Sequence, residues 1–132
     1  MQRIQADFVN FKRRAEEDQQ RAVMIGREGT IRALLPTLDN VQRALMHSPD
    51  DLKDHEYVKA LNSVAKQLEK DLSDMGLNRI ATVGEEFNPD IMEAVSMEAG
   101  EGSKEVVTEE LQSGYMLNEE VLRHAMVKVA KK

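Results

Sequence analysis

Between residues 4 and 25 the apolar side chains fall on alternating steps of four and three: Ile4, Phe8, Phe11, Ala15, then Ala22 and Ile25, with Asp18 at the one polar step. A repeat averaging 3.5 residues marks helices that wind around a neighbour, because it keeps one narrow stripe facing the partner turn after turn. The residues between are mostly Arg, Glu, Gln and Lys, which favour helix. The segment from Met1 to about Met46 therefore reads as a long helix. It could instead be one amphipathic helix lying on a globular core, but the rest of the chain is poor in material for such a core. Aromatic residues make up 4% of the 132, Trp is absent, and 32% are charged. A chain with so few large apolar groups buries little surface alone, and pairing with a second copy is the usual remedy. A homodimer is expected, with Ile4, Phe8, Phe11 and Ile25 in the seam.

The seam weakens further along. Gly29 occupies its next position, and Gly26 and Gly29 each cost about 1 kcal/mol relative to Ala inside a helix. Pro36 removes a backbone donor. A bend or short break is predicted between Gly26 and Pro36, after which the stripe resumes in a shifted phase through Ile31, Leu34 or Leu35, Leu38, Val41 and Leu45. Ser48, Pro49, Asp50 and Asp51 then resemble the start of a second helix, with a cap, a proline at the first position and acids favoured by the dipole. That helix could also start a turn later, after Asp54. It carries Leu61, Val64, Ala65, Leu68, Leu72 and Met75 on one face, and Gly76 supplies a left-handed stop. In a dimer, two such helices would pair with the ends of the long ones as a four-helix bundle, through Leu34, Leu38, Val41, Leu45, Leu61, Leu68 and Leu72.

From Asn78 the pattern changes to short β-branched runs punctuated by Gly, Asn and Pro: Ile80 to Val83, Ala94 to Met97, Val106 to Thr108, and Val121 to Val129. The expected fold class is α+β, with residues 1–77 helical and residues 78–132 a small β-domain that leans on them.

Several functions are disfavoured. A net charge of −6 gives no cationic excess for nucleic acid. Cysteine is absent, so disulfides and thiolate metal sites are excluded. No apolar run approaches the roughly 20 residues of a membrane span, and no leader pattern opens the chain. The expectation is a soluble, cytoplasmic protein without cofactor. His47, His55 and His124 are scattered with no metal-ligand spacing, and neither a nucleophile-elbow nor a phosphate-loop string occurs. The adjacent acids at Glu16-Glu17, Glu85-Glu86 and Glu119-Glu120 read as solvated surface. An enzyme is not expected.

Five blocks carry a family resemblance. Phe8-Val9-Asn10-Phe11-Lys12-Arg13-Arg14 resembles the run on the long helix of the GrpE family. Leu34 to Leu45 is similar to its L-L-P-x-x-D-x-x-x-R-A-L block, and Phe87 to Val95 to its F-D/N-P-x-x-H-E-A-V signature. Gly114-Tyr115 and Leu122 to Val129 look like its closing G-Y and L-R-P-A-x-V-x-V pieces. Each is short, but their order and spacing agree over nearly the whole chain. Met92 stands where the family pattern has His, and His124 where it often has Pro, so no histidine role is carried over. The resemblance also suggests that the chain begins partway down the long helix.

What the resemblance implies is a dimeric co-chaperone that binds the nucleotide-binding domain of a DnaK-type chaperone, opens it and speeds release of ADP. By that resemblance the chaperone-facing positions are Lys12, Arg21 and Arg43 on the helices, and Phe87, Pro89, Leu111, Arg123 and Val129 on the β-domain. Phe87, Leu111 and Val129 are equally readable as β-domain core, and Lys12 and Arg21 as solvated helix flanks. The glycine-weakened stalk raises a further expectation, that it unwinds on heating and makes the dimer a thermosensor. The alternative is a structural coiled-coil adaptor with a β-cap and no exchange activity.

Overall fold

A computed structural model describes Gln2–Lys132; the expected helix start at Met1 lies outside the described residues. The chain forms two compact units, one up to Leu34 and one from Leu35 to Lys132. Helix α1 (Gln2–Met46) runs through both stretches of sequence without interruption. Of the bend or short break expected between Gly26 and Pro36, the break is thus corrected: the helix is continuous there. A proline inside a helix forfeits one backbone hydrogen bond, and the turns on either side keep theirs. Thr30 Oγ1 donates to the Gly26 carbonyl at 2.9 Å, and Arg32 pairs with Glu28 at 2.8 Å, so side chains support the glycine-rich turns.

In the unit from Leu35, α1 is followed by a single 3-10 turn (Asp50–Leu52) and then by α2 (Glu56–Asp74). The later of the two possible starts is the real one. His55 is the N-cap, its Nδ1 accepting from the Tyr57 amide at 3.2 Å while its ring stacks on Tyr57. Helix α2 ends where Gly76 takes φ +98, and a Cβ there would lie 2.5 Å from Asn118 Oδ1. Gln42 on α1 donates to Glu69 on α2 at 2.8 Å, which sets the two helices side by side.

Among the described residues, six strands form two three-stranded sheets: β1 (Leu77–Arg79), β4 (Tyr115–Leu117) and β5 (Glu120–Arg123) in one, and β2 (Met92–Glu98), β6 (Ala125–Lys131) and β3 (Glu105–Gln112) in the other. The first is antiparallel in the order β1-β4-β5. The second has β6 at its centre, parallel to β2 and antiparallel to β3. Ile80, Met92, Val107, Ala125, Val127 and Val129 make its core, with Phe87, Ile91, Ala94 and Met116 packed around them. The run Ile80 to Val83, expected as a strand, is instead a turn entry after β1, because Thr82 is drawn inward to Glu110. Gly114 answers to another constraint: any Cβ would collide with the backbone nitrogen of Ala125 where β5 passes into β6. Where the sequence suggested a domain boundary after residue 77, α2 leads directly into β1 within one unit.

Candidate partner-binding surface

On α1, the seam residues Ile4, Phe8, Phe11 and Ile25 are 70%, 66%, 65% and 63% exposed. Large apolar side chains repeated at seam spacing and left in water are an unfinished interface. Lys12 and Arg21 are exposed on the same helix. Nine residues at 1.5 Å rise separate them by about 14 Å, too far to grip one small ligand together. Arg21 approaches Asp18 at 3.8 Å, both well exposed, and such a pair contributes little.

Further along, Leu34 and Leu61 are exposed and Val41, Leu45 and Leu68 half-buried. Leu38 and Leu72, expected in the dimer seam, are instead covered by their own chain, at 0% and 3% exposure. Helical periodicity identifies an apolar face without saying which neighbour covers it.

The strands sort the remaining candidates. Pro89 and Leu111 are exposed, and Phe87 is half-buried against the β-core. Val129 is fully buried and belongs to that core, so its side chain offers no contact surface. A groove of about 490 Å³ brings Arg43 and Leu111 together with Gln42, Lys66 and Glu69, so a helical and a strand candidate line one concavity. Arg43 is oriented by Asn40, whose Oδ1 accepts from its Nη1 at 3.2 Å. The Asn88-Pro89-Asp90 turn is locked by Asn88 Oδ1, which accepts from the Asp90 amide at 2.9 Å. His124 braces the same turn, donating from Nε2 to the Asp90 carbonyl at 3.0 Å, and Met92 is buried in the core.

Arg123 is not free on the surface. Its Nη1 and Nη2 donate to Asp39 Oδ2 and Oδ1 at 2.6 and 2.9 Å, and its Nε and Nη2 donate to the Ser113 carbonyl at 3.1 and 2.6 Å. Its guanidinium carbon also lies 5.5 Å from the centre of the Tyr115 ring. Beside it, Glu110 accepts from Arg79, Thr82 and, at 2.9 Å, Ser113 Oγ. Burial pushes the Glu110 carboxyl up, but these donors outweigh it and hold the group below the usual carboxylate value. Burial raises the Tyr115 phenol. Asp39, Arg79 and Glu110 were not singled out from sequence. Asp39 had a signal, as the acid of the L-L-P-x-x-D block; Glu110 had none, since an acid next to Glu109 in a strand looks solvated.

Among the described residues there is no cluster of His, Asp and Glu able to hold a metal, and no helix is long and apolar enough to cross a membrane.

Comparison with known proteins gives a consistent result. The GrpE family model matches residues 1–131. The chain is 43% identical over 129 residues to protein GrpE of Mycolicibacterium paratuberculosis, covering 98% of this chain and 54% of the relative. It is 40% identical over 128 residues to protein GrpE of Halalkalibacterium halodurans, covering 96% and 66%. Against protein GrpE of Mycobacterium tuberculosis (strain H37Rv) the identity is 41% over 131 residues, covering 98% and 53%. The chain thus spans between about half and two thirds of the length of these curated relatives. An exposed 3.5-residue seam on a long helix, a short second helix, a small two-sheet module and a family match over residues 1–131 agree, and the chain belongs to the GrpE family.

Proposed function

We propose that this protein is a nucleotide-exchange factor: as a homodimer it binds the nucleotide-binding domain of a DnaK-type chaperone, favours its open form and accelerates release of ADP. The observation that carries the reading is the GrpE family match over residues 1–131. The exposed seam on α1 supports the dimer, since burying each of Ile4, Phe8, Phe11 and Ile25 is worth roughly 1.5–3 kcal/mol. The contact set is Lys12, Arg21, Arg43, Pro89 and Leu111, all exposed, with Phe87 shaping the turn that presents Pro89.

No catalytic side chain is needed. A partner that binds the open chaperone more tightly than the closed one shifts the equilibrium by that difference. A thousandfold acceleration asks for about 4 kcal/mol of differential binding, within the reach of an ordinary interface. The glycine-weakened stretch around Gly26 and Gly29 supports a temperature response, in which the seam opens before the unit from Leu35 unfolds and exchange falls. The protein acts in the cytoplasm, beside its chaperone.

The test is release of a fluorescent ADP analogue from a purified DnaK-type chaperone. Acceleration that saturates with added protein is expected. An unchanged release rate at saturating protein overturns the reading and leaves a structural adaptor.

A further inference from the structure

Within the unit from Leu35, α1 buries Leu35 and Leu38, at 1% and 0% exposure, and beside them a polar contact ties this part of the helix to the strands. Asp39 lies one turn beyond Pro36 on α1, and its two carboxylate oxygens take two nitrogens of Arg123, at the end of β5. The remaining bonds of that guanidinium hold the Ser113 carbonyl, between β3 and β4. Both side chains are largely withdrawn from water, at 20% and 18% exposure. A bidentate arginine–carboxylate pair is directional, fixing angle as well as distance, unlike an apolar contact that tolerates sliding. Asp39 also sits beside Asn40, which orients Arg43, so the groups that fix the strands and that aim a surface arginine are neighbours on one helix.

We propose that the Asp39–Arg123 pair is a positioning latch that fixes the strand module at one angle to the part of α1 from Leu35 to Met46, so that the surfaces around Arg43 and around Pro89 and Leu111 engage a partner together. In this role Arg123 acts from inside the module, not as a contact to the partner. The consequence for exchange rests on the function proposed above; the latch itself does not.

The chain has no cysteine, so labels can be placed singly. Spin labels at Thr37→Cys on α1 and Ser96→Cys on β2, both exposed positions, report the angle as a distance distribution. Labelled chains are diluted with unlabelled ones so that each reports on itself. The parent should give one narrow distribution, Asp39→Asn and Arg123→Lys broad ones, and the swap Asp39→Arg/Arg123→Asp a partial return. In exchange assays both single variants should lose about tenfold in maximal ADP-release rate, with the half-saturating concentration changed less than about twofold. Circular dichroism confirms that each variant is folded, and Asp39→Asn is the near-isosteric change that keeps the test usable if Arg123→Lys is unstable. Distributions identical in parent and Asp39→Asn overturn the latch. So does a rise in half-saturating concentration for Arg123→Lys with no effect of Asp39→Asn, which would make Arg123 a direct contact. If the parent fails to accelerate release, the function proposed above falls, while the distance measurement still decides the latch.

Discussion

At the scale of single residues, charge on this protein has two destinies. Arg43 is exposed, is aimed by Asn40 and lines the groove it shares with Leu111. Reversing it with Arg43→Glu should weaken chaperone binding about tenfold or more in a titration of ADP release, while the thermal melt stays within a few degrees of the parent. Glu110 is the opposite case, an acid turned inward and held by Arg79, Thr82 and Ser113. Its folded pKa lies below the ordinary 4.5, so its contribution to stability is present above that value and is lost as pH falls through the lower folded one. Glu110→Gln should therefore be less stable than the parent at neutral pH, with the difference narrowing as pH drops below about 4.5; denaturant melts across that range check it. An equal difference at every pH would mean that the ionised form contributes nothing. Arg43 was marked by its place in the R-A-L block, whereas nothing beside Glu110 in the sequence marks it, and only the strand register turns Glu110 toward Thr82.

Secondary-structure elements here follow local rules with a few instructive exceptions. Gly76 ends α2 in the left-handed conformation that the sequence implies, and α2 starts at the later of its two possible positions because His55 caps it. Helix α1 continues through Gly26, Gly29 and Pro36, so those residues lower its stability without ending it. Nothing lies within 4 Å of a Cβ added at Gly26 or Gly29. Gly26→Ala and Gly29→Ala should each stabilise α1 by about 1 kcal/mol, because Ala has the higher helix propensity and meets no clash. The readout is the temperature at which helical ellipticity is first lost; no upward shift in the double variant would show that these turns do not limit the stalk. The same variant should extend exchange activity to higher temperature if unwinding of the seam is what reduces it.

For the molecule as a whole, the decisive quantity is how many copies assemble. Phe8 and Phe11 stand two-thirds exposed on one chain, an arrangement that water disfavours and a second seam relieves. Phe8→Glu/Phe11→Glu places like charges in the proposed seam and should convert the proposed dimer to monomers at micromolar concentration in sedimentation, with the strand module still folded. A parent that sediments as a monomer at such concentrations would remove the basis of the dimer. Leu38 and Leu72 qualify the expected interface: the chain itself already covers them, which leaves Leu34, Leu61 and the half-buried Val41, Leu45 and Leu68 as the candidates for the proposed seam.

The sequence by itself determined the two helices, the change to short strands after them and the family. Periodicity, glycine stops and short β-branched runs are local quantities, and five spaced blocks suffice to place the chain among its relatives. What tertiary structure alone decided is which neighbour each face meets. Val129, readable from sequence as either a partner contact or core, is core; Arg123, expected as a partner contact, is bound to Asp39, 84 residues earlier in the chain. Pairing β2 parallel to β6 while β3 runs antiparallel to it was equally invisible, as was the cluster around Glu110. The physical reason is the same in each case. Burial and ion pairing are set by contacts distant in sequence, and a residue's own neighbourhood in the chain carries no record of them.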